Sequence, residues 1–130
     1  MSINIKYMKE ELIIQFFTLR QQIKLLHWQT KSYARHKAYD DIYESLGDLV
    51  DKFVEMYMGK YGRVEFNGGE GSITLKNTDT LQLNNFLNSN IDWLKSLNEK
   101  LKSDKDSDLL NLRDEMMGEI NKLKYLLTLK

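Results

Sequence analysis

The residues able to do chemistry are concentrated between His27 and Glu55. Two histidines, His27 and His36, and three carboxylates, Asp40, Asp51 and Glu55, sit in a segment otherwise patterned for helix. Imidazole and carboxylate together suit a hard-to-borderline cation such as iron, with coordination positions left open for an oxidant. His36 and Asp40 stand at i and i+4, so both can reach one side of a metal. Asp51 and Glu55 repeat that spacing on the same face, about four turns or ~22 Å further along. One copy of such a helix cannot wrap both pairs around a single ion, but two antiparallel copies can. The spacing therefore predicts a site between subunits, holding iron or another divalent metal.

Other chemistry is weaker. The absence of cysteine removes thiolate catalysis and zinc-thiolate sites. Gly68-Gly69-Glu70-Gly71 lacks the Lys-Ser/Thr of a phosphate loop, and no Gly-x-Ser-x-Gly nucleophile motif is present. Glu115 and Glu119 form an acidic pair followed by Lys122 and Lys124, which predicts a salt-bridged surface. Glu44, Asp48 and Asp41 read as a solvated helix face, and Met56, Met58, Met116 and Met117 as core filler.

Four helices are predicted to position these residues, in one all-α domain spanning positions 1–130. The first runs over about 4–31. Leu12, Phe16, Leu19, Ile23 and Leu26 recur at three- and four-residue steps, Ile13, Phe17 and Trp28 widen the stripe, and His27 faces the packed side. A break capped by Ser32 leads to a second helix over 34–61, with Tyr39, Ile42, Tyr43, Leu46, Leu49, Val50, Phe53 and Tyr57 inward. Its polar set, His36 to Glu55, falls within an arc of about 120°. Gly62 ends that helix, and the glycine-rich stretch 62–79, with extended pieces at 64–66 and 73–75, is long enough to cross the whole bundle. Asp79 and Gln82 suggest a capping box before a third helix over 80–102, and a short polar turn leads to a fourth over 108–129. Two antiparallel helical hairpins joined by a long crossover make a ferritin-like four-helix bundle.

The run His27-Trp28-Gln29-Thr30-Lys31, with His36, Asp40, Asp41, Tyr43, Asp51 and Glu55, resembles the signature of Dps proteins, the mini-ferritins. In that family a second histidine is followed four, fifteen and nineteen residues later by acidic ligands, offsets that His36, Asp40, Asp51 and Glu55 match. The resemblance implies that His27, His36 and Asp40 come from one subunit and Asp51 and Glu55 from its dimer mate. It implies Fe²⁺ oxidation by peroxide or dioxygen, and a homo-oligomer with the dimer as minimal unit and a hollow dodecamer as the larger form. His27 and His36 would be neutral nitrogen ligands, Asp51 and Glu55 would bridge metals, and Asp40 would support a second ion. The segment 32–38 with Gly59-Lys60-Tyr61-Gly62 is also similar to small ferritin-like proteins of bacteriophages and large viruses. Against the Dps pattern, the link from His27 to His36 is shorter, Ser32-Tyr33 replaces glycine-proline, and the basic tail is missing. The Glu-x-x-His pattern of a diiron site within one bundle is absent too.

Nineteen basic residues balance nineteen acidic ones, and residues 1–8 carry only Lys6, so nucleic-acid binding is not expected. Proline is absent, which permits long helices. No apolar run reaches the ~20 residues that cross a bilayer, and Lys9, Glu10 and Glu11 stand where a signal peptide would be apolar. The expected location is the cytoplasm, or a virion or infected cell. Two functions lead: a ferroxidase storing iron and protecting against oxidants, or a non-catalytic structural or interaction module, viral or phage-encoded; DNA protection is a third, weaker reading.

Overall fold

The computed structural model describes residues 3–130, with side chains from residue 7 on. Residues 1–2 and the side chain of Lys6, part of the sparsely charged N-terminal stretch, lie outside the described residues. Four α-helices follow one another: α1 (Ile3–Gln29), α2 (Tyr33–Tyr61), α3 (Leu83–Ser96) and α4 (Ser107–Leu126). A single 3-10 turn, Leu97–Glu99, prolongs α3. Among the described residues there is no strand, so 64–66 and 73–75 are extended without pairing.

The stripes read from sequence are the core. Leu12, Phe16, Leu19, Ile23 and Leu26 of α1 are buried, as are Tyr39, Ile42, Leu46, Phe53 and Tyr57 of α2. Leu87, Leu94, Leu109, Met116, Ile120 and Leu123 close it from the second hairpin. Phe16 joins the hairpins, with its ring edge-on to Phe53 (5.4 Å) and Trp93 (5.3 Å).

Side-chain bonds fix the helix directions. His27 meets His36 at one end of α1 and α2, and Ser45 of α2 bonds Glu119 of α4 at 2.9 Å. At the other end of α2, Lys60 reaches Asp108 of α4 at 2.6 Å. Arg113 of α4 reaches the Leu94 carbonyl (2.8 Å) and Asn98 (2.8 Å), while Lys124 reaches Asn88. Each of these pairs is antiparallel, and α3 runs parallel to α2. The crossover 62–82 therefore travels the length of the bundle. Gln22, buried on α1, holds it there: its amide donates to the Lys76 carbonyl (2.8 Å) and accepts from the Lys76 N–H (2.9 Å). That is the bonding a neighbouring strand would offer, supplied by one side chain.

Helix ends explain the boundaries. Ser32 caps α2, its hydroxyl accepting from the Arg35 N–H at 3.2 Å. Gly62, at φ 91°, closes it through its N–H to the Met58 carbonyl. The expected capping box does not form. Residues 78–80 make a turn instead, and α3 starts at Leu83 with no side-chain cap at Gln82. The widened stripe of α1 is also corrected: Phe17 is 54% exposed and Trp28 70% exposed. They lie about 120–140° around the helix from Ile23, beyond the reach of the core.

Candidate metal centre

His27 lies in the last turn of α1 and His36 in the first turns of α2, so the short link 30–32 brings them face to face. Their rings stack with centroids 3.9 Å apart and planes 19° apart. Each ring bonds the other's backbone: His27 Nδ1 to the His36 carbonyl at 2.7 Å, and His36 Nδ1 to the His27 carbonyl at 3.0 Å. A carbonyl oxygen only accepts, so both Nδ1 atoms carry the proton and donate. In the neutral rings each Nε2 is then left with its lone pair. Carbonyl-held Nδ1–H with free Nε2 is the tautomer of a metal-ligating histidine. The same bonds also close one of the carbonyls that α1 leaves unpaired at its end. Because stacked imidazoles keep their lone pairs in nearly parallel planes, the two Nε2 atoms do not converge on one ion.

His27 is buried at 9% exposure, as its place in the α1 stripe predicted, whereas His36 is exposed and Asp40, one turn further on α2, is half-buried. Trp28 and Tyr33 flank the pair, both exposed, with the Tyr33 ring 6.5 Å from His36. Beside Asp40, burial pushes the Tyr39 phenol above its usual range, against the opposing pull of Arg35, so it stays protonated.

Asp51 and Glu55 are exposed further along the same flank of α2. Among the described residues no side-chain bond occupies Asp40, Asp51 or Glu55, and no three histidine or acidic side chains gather within one copy. The structure thus brings His27 and His36 together, with Asp40 one turn further along α2 and Asp51 and Glu55 beyond it. Glu44 and Asp48 are exposed as expected. Glu119 instead bonds Ser45, and Lys124 bonds Asn88, so the predicted Glu–Lys surface pairs on α4 do not form.

Arrangements around Arg20 and Asp106 escaped the sequence. Arg20 of α1 lies over the Tyr43 ring, its guanidinium carbon 4.0 Å from the centroid, and packs against Gly47. The available signal was a glycine inside a strongly helical stretch. At the opposite end of the bundle, Asp106 is 1% exposed and accepts from Tyr61 Oη (2.6 Å), the Lys102 N–H (2.9 Å) and Lys60 Nζ (3.3 Å). It borders a cavity of about 580 Å³ lined by Tyr7, Tyr57, Tyr61 and Lys105. Since its acid is already satisfied, this end is a structural fastening. No described helix is long and apolar enough to cross a membrane.

The sequence model of a family of unknown function, DUF5856, matches residues 27–127, from His27 to nearly the end of the chain. An uncharacterised 14.6 kDa protein from the mobD-ri intergenic region of Enterobacteria phage T4 is 35% identical over 104 residues. That alignment covers 80% of this chain and 75% of the phage protein. No solved structure matches.

Proposed function

Because the chain belongs to DUF5856, a family of unknown function, its chemistry has to be read from its own side chains, and we propose that it binds and oxidises Fe²⁺ at a site shared between two copies. The observation that carries this reading is the reciprocal pair of imidazole–carbonyl bonds, which leaves two Nε2 lone pairs free at the end of α2 that carries Asp40. The lengthwise crossover and the parallel course of α2 and α3 support a ferritin-like bundle of the mini-ferritin kind. The phage relative supports an origin in a phage or virus and action inside the infected cell.

Iron is the substrate. His36 and Asp40 of one copy, with His27 behind them, face Asp51 and Glu55 of the partner in an antiparallel pairing. Separate nitrogen donors suit two neighbouring ions better than one, as the stacked rings require. Each Fe²⁺ gives up one electron. A peroxide molecule takes two electrons and two protons to leave two waters, so two Fe²⁺ are spent per peroxide; dioxygen is the alternative acceptor. The carboxylates stabilise the higher charge of Fe³⁺.

The test is complementation. Fe²⁺ is added with peroxide, and the ferric-oxo absorbance is followed for wild type, His36→Ala and Glu55→Ala. Each variant alone is expected to be slow. An equal mixture, after subunit exchange, regains about a quarter of the wild-type rate, since half the dimers are mixed and each has one intact site. Equal slow rates for wild type and both variants would remove the reading. A second reading is a structural or interaction module. It is favoured by the completeness of the histidine latch, which fastens α1 to α2 without any metal.

A further inference from the structure

Arg20 carries a charge that its own copy does not answer. Nη2 donates to the Tyr43 carbonyl at 3.2 Å, but Nε is buried with no acceptor. Among the described residues no carboxylate pairs with it. A Cβ at position 47 would stand 2.5 Å from Nη2. Glycine weakens a helix interior, so Gly47 marks the space the guanidinium takes. Lys24, one turn on, places its ammonium 4.8 Å from the same Tyr43 ring. Two cations therefore share one aromatic ring with no anion bound to them. On the adjoining flank of α2, Glu44 and Asp48 are exposed, and no side chain among the described residues bonds them. Cation and anion patches lie side by side on one copy, neither neutralised, which is the pattern of a self-complementary two-fold surface.

We propose that Arg20 receives the partner's Glu44 and the partner's Asp48 across a contact between two copies of this chain. The register rests on the shared-site reading. Pairing His36 and Asp40 with the partner's Asp51 and the partner's Glu55 sets position 36 opposite 55 and position 40 opposite 51. Continued along α2, that antiparallel register sets the partner's Glu44 opposite Gly47 and the partner's Asp48 opposite Tyr43. Those are the two residues on which the guanidinium rests. Nε stays covered within its own copy, and a carboxylate arriving there can meet the terminal nitrogens of the half-buried guanidinium. Phe17 and Trp28, exposed on the outer side of α1, supply apolar area to the same contact.

Sedimentation of the full chain in chelator-treated buffer tests this. The wild type is expected to dimerise at micromolar concentration. Glu44→Gln with Asp48→Asn, both at exposed positions, is expected to weaken the dimer by about tenfold or more. Arg20→Glu is expected to be monomeric. Mixing it with Glu44→Lys/Asp48→Lys should regain a heterodimer, because every reversed charge then meets its opposite. Circular dichroism checks that each variant is folded. A monomeric wild type, a dimer untouched by the Glu44/Asp48 changes, or a mixture that stays monomeric would overturn the contact. A dimer that behaves as expected but oxidises no iron leaves the contact standing and removes the iron reading alone. Iron oxidation in a dimer indifferent to Glu44 and Asp48 does the reverse.

Discussion

Asp106 shows what a single side chain contributes to this bundle. Burial alone would raise its pKa. Hydrogen bonds from Tyr61, the Lys102 N–H and Lys60 outweigh that, so the net position is below the usual aspartate value. A carboxyl depressed in the folded state stabilises the fold above its unfolded pKa and loses that contribution as pH falls through the folded value. Stability should therefore hold above about pH 5 and decline below about pH 4. Tyr61 behaves oppositely. The bond to Asp106, then burial, pushes its phenol up to about 12, and burial does the same first for Tyr57, also to about 12. Unfolded tyrosine ionises near ~10, so stability is lost between that pH and about 12. Tyr61→Phe removes one donor from a buried carboxylate and should cost roughly 1–2 kcal/mol. It should also move acid unfolding to higher pH and shrink the alkaline loss to the Tyr57 share. Denaturant titrations across the pH range measure all three, and an unchanged acid limb would show that Tyr61 does not hold Asp106.

At the scale of elements, patterning fixed what water sorts and missed what polar side chains arrange. The α1 and α2 stripes, the Ser32 cap and the Gly62 stop each depend on neighbours within one turn, so they were legible. The exposed setting of Phe17 and Trp28 was not, because an apolar residue looks the same whether its face meets the core or solvent. Nor was the seating of Arg20 on Gly47, which needs two helices in register. The stacking of His27 on His36 was likewise hidden: helical phase placed each ring, but only the tight link at 30–32 makes them touch. The clearest miss is Gln22, which the sequence pattern did not single out. It is 2% exposed and anchors a crossover 54 residues away. Gln22→Ala should expose the Lys76 backbone and leave the helices nearly intact. Amide hydrogen exchange is expected to rise around Lys76 and the neighbouring crossover, with melting lowered by ~1–2 kcal/mol equivalent. Protection at Lys76 that survives the change would mean the crossover is held by its own turns.

For the whole molecule, the balance of charge conceals its distribution. The sum is zero, yet Arg20 and Lys24 gather on α1 while Glu44, Asp48, Asp51 and Glu55 line α2. Such a surface offers a polyanion no uniform basic face, so no retardation of DNA is expected even at low salt. Toward a second copy it offers alternate attraction, and salt should reveal how much of the contact is electrostatic. Charges at the rim are screened beyond ~8 Å at physiological ionic strength, whereas a guanidinium seated under a ring and out of water is screened far less. Phe17 and Trp28 add apolar area, which salt does not weaken. The expected result is partial: raising sodium chloride from about 0.05 to 0.5 M weakens the dimer by roughly three- to tenfold without separating it at micromolar concentration. Sedimentation equilibrium over that range reads the value directly. A dimer strengthened by salt would place the weight on the aromatic residues. One abolished by salt would mean that the carboxylates stay hydrated at the rim and never seat against the Arg20 guanidinium.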